Sequence, residues 1–377
     1  MSLRRIKALT KKEFIQMSRD IRSLMGALFN PLLMIFLFGY ALSLDVDRIP
    51  SVVLDLDRTP ASREFIHRLT DSRYFTLVRY LERDGDVDAS LARGEALMAL
   101  VIPTDFASKV TQGMKAPLQV VFDGSDSNTA TIALGYLKAV AAGFDIALQE
   151  QRIRRAGLKM VNMPLEARIR VWFNPELKSK NFIIPGLTGV IMMAICSVMT
   201  ALSVSREKET GTLEQLISTP ITSLELLLGK LLPYLAVGLV DLALVVGAGV
   251  LIFDVPFRGS YVDLFIASFI FLIGSLSWGL FVSVVAKSQI QASQISVISA
   301  FLPSFLLSGF IYPIENMPVV LQALTFIVPA RYFVEVLKGL FLQGVGLTVL
   351  WPQVLALVLY AVLVLNLARK RFTKRIL

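Results

Sequence analysis

His67 and Cys196 are the only histidine and the only cysteine among 377 residues. A single cysteine excludes a disulfide framework and every multi-cysteine zinc site, and a single histidine excludes the two-histidine metalloprotease motif. The phosphate-cradling loop that closes on Gly-Lys-Ser/Thr is missing too, because Gly229-Lys230 runs on into Leu231. No convergent set of nucleophile, histidine and metal ligands is present, so the expectation is no catalytic residue, no directly bound cofactor and no metal. The acidic run Asp123-Gly124-Ser125-Asp126-Ser127-Asn128 lacks calcium-loop spacing. It reads as a strand ending in a turn, followed by a helix capped by Asp126 or Ser127. His67 is expected half-buried on the amphipathic face of a helix near residues 61–70.

Asp241 is singled out by its surroundings. It falls near the middle of an apolar window, about Leu231 to Phe253, where a charged side chain costs about 2.5 to 3.5 kcal/mol on insertion scales. Such a group needs water or a partner. The candidates are the hydroxyls of Ser275, Ser277, Ser296 or Ser299, or a cation in a path that Asp241 would face. The alternative is a protonated acid hydrogen-bonded between helices.

These side chains must be positioned by apolar elements. The chain is 55% hydrophobic and 18% charged, with mean hydropathy +0.64, yet its net charge is +9. About 20 mostly apolar residues cross a bilayer as a helix, and six windows of that kind occur: about 24–44, 182–204, 231–253, 264–286, 290–312 and 348–368. The first is too long, and lacks the cleavage site, for a removable signal peptide. Charge orders these windows. Seven bases against two acids precede the first (Arg4, Arg5, Lys7, Lys11, Lys12, Arg19 and Arg22 against Glu13 and Asp20), and Arg369, Lys370, Arg371, Lys374 and Arg375 follow the last with no acid. The positive-inside rule then puts both termini in the cytoplasm, which an even number of spans satisfies. Lys287 falls on the same side, and Asp254 and Asp263 on the other. Basic residues beside spans are the lipid-surface pattern, so the charge argues for headgroups and against nucleic acid. Leu3, Ile6, Thr10, Met17, Ile21 and Leu24 recur at helical spacing, which predicts an amphipathic helix over residues 1–23 lying along the inner leaflet.

Residues 45–180 are polar enough to fold in water. Strand-like runs at 51–56, 75–81, 96–102, 118–122 and 167–173 alternate with helical stretches at 61–70, 86–93, 106–112 and 127–155. That alternation predicts a small α/β domain with a partly parallel sheet. The fold class is therefore a polytopic α-helical membrane protein of six transmembrane helices, residues 24–44 and then 181–368, with this extracytoplasmic domain inserted, and a basic tail at 369–377.

The elbow at 205–229 is the most structured loop. Thr212 with Gln215, and Thr222 with Glu225, have capping-box spacing, and Pro220 separates them. A short stiff helix with Leu213, Leu216 and Ile217 on one side follows, either as a docking element or as a plain connector. Residues 314–347 are broken by Pro318, Pro329 and the Gly344/Gly346 pair, so short helices dipping partway into the bilayer are expected there. Arg331 and Glu335 would pair at helical spacing near Lys338, as an outer gate or as a packing cap.

Arg206-Glu207-Lys208-Glu209-Thr210-Gly211-Thr212-Leu213-Glu214-Gln215-Leu216 with Thr219-Pro220-Ile221 resembles the signature of type-2 ABC transporter permeases, in particular the bacterial efflux subfamily with a large outside domain after the first span. Trp172-Phe173-Asn174-Pro175, Phe182-Ile183-Ile184-Pro185-Gly186, Leu307-Ser308-Gly309-Phe310-Ile311-Tyr312-Pro313-Ile314 with Met317-Pro318, and Pro329-Ala330-Arg331-Tyr332-Phe333 extend the resemblance over essentially the whole chain. It implies a permease subunit in a bacterial inner membrane, with ATP and Mg used by a separate ATP-binding subunit. It also implies a dimer with a second copy or a sibling permease, and suggests a periplasmic adaptor leading to an outer-membrane channel. In the family the elbow is the coupling helix seated in the ATPase, and the N-terminal helix makes a second contact. Arg206, Glu207, Glu209, Gly211, Thr212, Leu213, Glu214 and Gln215 are the coupling residues that this implies. Asp241 becomes the substrate-path candidate, and Arg331 and Glu335 the outer-gate candidates. The competing reading is an ATP-independent membrane scaffold whose outside domain binds a partner.

Overall fold

The computed structural model describes residues 2–41, 47–155, 172–174, 178–212, 219 and 221–371. It divides into two compact units, one of residues 1–43 with 170–377 and one of residues 44–169. The first begins with α1 (Leu3–Arg19) and α2 (Ile21–Ala41).

The second unit has the element order β1 (Ile49–Asp55), α3 (Pro60–Asp71), β2 (Phe75–Tyr80), α4 (Gly85–Ala92), β3 (Met98–Ile102), α5 (Phe106–Gln112), β4 (Gln119–Phe122) and α6 (Ser127–Arg155). Its sheet runs β2-β1-β3-β4, with β1 parallel to both neighbours and β3 antiparallel to β4. The central strands are near-continuous apolar runs because both faces are covered. On one face Val53, Leu100 and Ile102 pack with Phe65, Phe106 and the α6 residues Leu137 and Phe144; on the other Val52, Leu54 and Val101 pack with Val87. α3 starts where the sequence permits it, with Thr59 and Ser62 forming a capping box ahead of Pro60. Of the expected strand at 167–173 only Trp172 and Phe173 are described, and neither is in the sheet. Asp123 and Asp126 behave as turn and cap residues, accepting from the N–H groups of Ser125 (2.9 Å) and Thr129 (3.3 Å). His67 is exposed rather than half-buried, since Phe65, Ile66 and Leu69 take the buried face of α3.

After residue 170 the first unit resumes with α7 (Ser179–Glu209), α8 (Ser223–Leu251), α9 (Tyr261–Val285), α10 (Gln289–Ser296), a π-helical turn (Val297–Phe301), α11 (Leu302–Leu307), α12 (Val319–Thr325), α13 (Pro329–Lys338) and α14 (Trp351–Arg371). α7 is its axis, buried at nearly every position from Asn181 to Ser197. Its neighbours come close because small residues face it or lie on it. A Cβ at Gly279 of α9 would fall 2.1 Å from the Ser197 carbonyl oxygen, and one at Gly189 of α7 would fall 2.9 Å from Val334 of α13. The π turn lies just ahead of Pro303, where the missing backbone N–H disturbs regular α-helical bonding. α12 and the helix that begins at Pro329 meet at a bend of 82°.

Among the described residues seven helices are long and apolar enough to cross a membrane. Six coincide with the expected windows; the seventh, Thr129–Gln151, lies in α6 of the second unit. The protein is a polytopic helical membrane protein that also carries a small sheet.

Candidate functional site

The charged end of the helical unit is built where α1 lies against α8. The apolar stripe of α1 carries Ile6, Leu9 and, at the next turn, Glu13, all three buried. Gly229 of α8 permits the contact, because a Cβ there would sit 2.6 Å from Leu9 Cβ. The neighbouring Lys230 is 0% exposed. Its Nζ donates to Glu13 Oε1 at 3.0 Å and pairs with Glu207 of α7. Lys12 Nζ closes the figure, donating to Glu13 Oε1 at 2.9 Å and to Glu207 Oε1. Two acids and two bases thus neutralise one another, with Glu13, Glu207 and Lys230 buried and Lys12 reaching in from the half-exposed edge. Burial opposes the charged form of Lys12, but the hydrogen bonds it donates to Glu207 and Glu13 outweigh that and hold the ammonium pKa above its ordinary value.

More polar contacts surround this quartet. Glu225, 1% exposed, accepts the N–H of Thr222 at 2.9 Å in the expected capping box, accepts the Ser2 N–H, and lies 3.7 Å from Arg5. Arg206 pairs with Asp20. Glu209 accepts the backbone N–H of Gln289 at 2.8 Å, and Lys208 Nζ donates to the Ala286 carbonyl at 3.0 Å, which ties the end of α7 to the start of α10.

The structure moves three of the nominated coupling residues. Arg206, Glu207 and Glu209 belong to the last turn of α7, not to an elbow starting at 205. Nothing in 205–209 breaks the helix, and Arg206 and Lys208 suit its C-terminal dipole. Gly211, at φ +71°, supplies the left-handed stop, its N–H reaching the Lys208 carbonyl. Glu207 faces inward, whereas Thr212 is exposed and donates to the Glu207 carbonyl at 3.3 Å. Leu213, Glu214 and Gln215, with the short helix expected there, lie outside the described residues.

Asp241 is 0% exposed in α8, and neither carboxylate oxygen has a hydrogen-bond partner among the described residues. The expected serine partners do not reach it. Ser275 donates to the Phe271 carbonyl of its own helix at 3.0 Å, Ser299 accepts from Trp278 Nε1, and the hydroxyls of Ser277 and Ser296 are themselves unpartnered. A helical serine satisfies itself most cheaply on the preceding turn, which removes it as an interhelical donor. The Arg331–Glu335 pair is not formed either. Arg331 donates to Thr325 and stacks over Phe326, 4.1 Å from its ring centroid, while Glu335 accepts from Gln353 Nε2 at 3.2 Å. The 82° bend brings the end of α12 within reach of the first turn of α13, and Arg331 braces that corner together with Tyr332, whose hydroxyl donates to the Phe326 carbonyl.

A cavity of about 520 Å³ lies between α1, α2, α7, α8 and the π turn. Its wall is mostly apolar, with Met34, Val198, Met199 and Phe301, and carries the polar groups of Gln16, Asp20, Asn30, Ser203, Arg206 and Tyr234. Asp241, Arg331 and Glu335 do not line it. The quartet was missed by sequence reasoning, although a signal exists. Glu13 is the single acid between Leu3 and Arg19, and it sits on the apolar stripe, where only a buried base could justify it.

Residues 22–370 match the family described as ABC-2 family transporter protein. The chain is 39% identical over 377 residues to the probable multidrug ABC transporter permease YbhS of Escherichia coli K12, covering 100% of this chain and 98% of that protein. It is 30% identical to the probable multidrug ABC transporter permease YbhR of the same organism, over 99% of each chain. It is also 28% identical to the inner membrane transport permease YhhJ, over 95% of this chain and 96% of that one. A multi-helix membrane unit with an amphiphilic cavity beside a charged helix terminus agrees with these likenesses, and the chain belongs to the ABC-2 family of transporter permeases.

Proposed function

We propose that this chain is the membrane-spanning permease subunit of an ABC exporter that moves amphiphilic, drug-like substrates outward across a bacterial inner membrane. ATP with Mg is consumed by a separate ATP-binding subunit, and two membrane halves, either two copies or this chain and a sibling permease, complete the assembly. Six helices span the bilayer with both termini cytoplasmic. α6 is assigned to a periplasmic α/β domain and not to the membrane, because Ala133, Leu137 and Phe144 fill the core beneath the sheet while Lys138 and Asp145 interrupt its length. That domain is where an adaptor leading to an outer-membrane channel would bind. The segment after Gly211 is the coupling elbow, with Gly211 and Thr212 at its entrance, and Leu213, Glu214 and Gln215 are assigned to ATPase coupling from the family resemblance alone. Arg331 acts at the outer gate by bracing the 82° corner, and Glu335 lies one turn further along.

The observation that carries this reading is the cavity: apolar over most of its wall, with a few polar groups, and touching Arg206 at the foot of the elbow. Such a site suits a molecule with an apolar body and one polar group, and its contents would feel movement of α7. The experiment is ATP-dependent uptake of an amphiphilic dye into inverted vesicles containing the full transporter. Filling the cavity with Val198→Trp is expected to lower uptake at least fivefold while the ATP-binding subunit still co-purifies. Unchanged uptake overturns the cavity assignment. Asp241→Asn tests the substrate-path reading in the same vesicles: a loss confined to cationic dyes supports it, and unchanged cation transport removes it.

A further inference from the structure

Gly229-Lys230 fails as a phosphate loop but marks the place where α1 crosses α8. The elbow stands on two feet, the last turn of α7 (Arg206 to Glu209) and the first turns of α8 (Thr222 to Lys230). Lys230 and Glu207 join the feet directly, and α1 joins them a second time. Lys12 holds Glu207 on one foot, while Glu13 holds Lys230, and Ser2 and Arg5 hold Glu225, on the other. We propose that α1 is a strap that locks the two feet into one rigid lever, and that Glu13, Gly229 and Lys230 are positioning residues for coupling. This rests on the coupling role given to the elbow above.

Two further observations favour a strap over a helix floating on lipid. A floating helix would turn its apolar stripe to the acyl chains and its lone acid to water. Here Ile6, Leu9 and Glu13 are turned onto protein, and Arg4, Lys7 and Lys11 are left outward. The inner side of each joint is also dry: Glu13 and Glu207 are each 2% exposed and Lys230 is 0% exposed, while Lys12 and Arg5 close the joints from the half-exposed edge. Buried charges tolerate no partial separation, because removing one partner leaves the other uncompensated. The feet and the strap therefore move together or not at all, which is what a lever between an ATPase and a cavity requires.

The test is amide hydrogen exchange on the purified full-length chain in nanodiscs, with α13 as internal reference. Lys230→Met and, separately, Gly229→Ala are expected to raise exchange about tenfold at both feet while α13 is unchanged. Restoring charge balance, with Glu13→Gln added to Lys230→Met, is expected to bring exchange at the feet back to within twofold, because Lys12 and Glu207 then remain as a matched pair. Gly229→Ala keeps the test decisive if Lys230→Met does not fold. Free exchange of α1 with protected feet overturns the strap, and so does failure of the rescue. ATP-driven dye uptake by the full transporter separates this proposal from the one it rests on. Loosened feet with lost uptake support both; loosened feet with intact uptake support the strap and overturn the coupling role of the elbow.

Discussion

Glu207 and Asp241 are both acids buried in the helical unit, on adjoining helices, and they are treated in opposite ways. Glu207 meets two lysines from two other helices, Lys12 through a hydrogen bond and Lys230 as an ion pair that leaves Oε2 without a hydrogen bond; Asp241 has neither a hydrogen bond nor an ion pair among the described residues. A charge-paired site holds elements in one arrangement, since separating the pairs strands Glu13, Glu207 and Lys230 where they are buried. An unpaired acid holds nothing in place and adds only a cost of burial. Stability should therefore depend on the first site and be nearly indifferent to the second.

The largest effect is expected at Lys230. Lys230→Met strands Glu13 and Glu207 with Lys12 alone and should lower the stability of the purified chain by about 3–5 kcal/mol, read as a fall in melting temperature. Neutralising the whole buried set, Glu13→Gln with Glu207→Gln and Lys230→Met, should recover most of that loss, because uncompensated charge and not the missing bonds carries the penalty. If the triple variant is as unstable as Lys230→Met, the contrast with Asp241 loses its basis. Arg331 is intermediate, a half-exposed cation with one hydroxyl and an aromatic face. Arg331→Lys should cost roughly 0.5–2 kcal/mol and loosen protease protection around residues 326–328.

Acidity gives a finer probe. The Lys12 ammonium faces Glu13, Glu207 and Lys230, and its pKa is raised in the folded chain, so its contribution is complete below about pH 10.5 and fades as pH rises through the higher folded value. Labelling of an Ile6→Cys probe, on the buried face of α1, should therefore show a docked helix at every lower pH and release only in strong alkali; the buried Cys196 keeps background labelling low. Release near neutrality would mean that the quartet does not hold α1. The smallest effect belongs to Asp241→Asn, at most ~1 kcal/mol in either direction, since a neutral isostere is cheaper to bury than an unpaired carboxylate. A loss comparable to that of Lys230→Met would reveal a partner for Asp241.

Much of this was legible beforehand. The six apolar windows reappear as helices, and the strands at 51–56, 75–81, 96–102 and 118–122 appear within a few residues of expectation, because hydrophobic periodicity and turn residues are local properties. The Thr222/Glu225 capping box was legible for the same reason. α6 shows where composition is ambiguous. The stretch Thr129–Gln151 is apolar enough for a span, yet its large residues pack under a sheet. The end of α7 was placed too early because a charged run resembles a loop until Gly211 is recognised as its stop. The Arg331–Glu335 pair failed because helical spacing says which residues can meet, not which competitor is nearer once the chain bends by 82°.

By itself the sequence determined the class of molecule: apolar lengths that match a bilayer, bases gathered at both termini, and the alternation of a small α/β fold. Those follow from solvent transfer and local periodicity, which act on each segment separately. Only the tertiary structure decided which charges are buried together. Lys12 and Glu13 are separated from Glu207 and Lys230 by roughly two hundred residues, so no local rule connects them. Their meeting depends on a bare position at Gly229 that lets one helix cross another closely enough to bury Glu13 and Lys230.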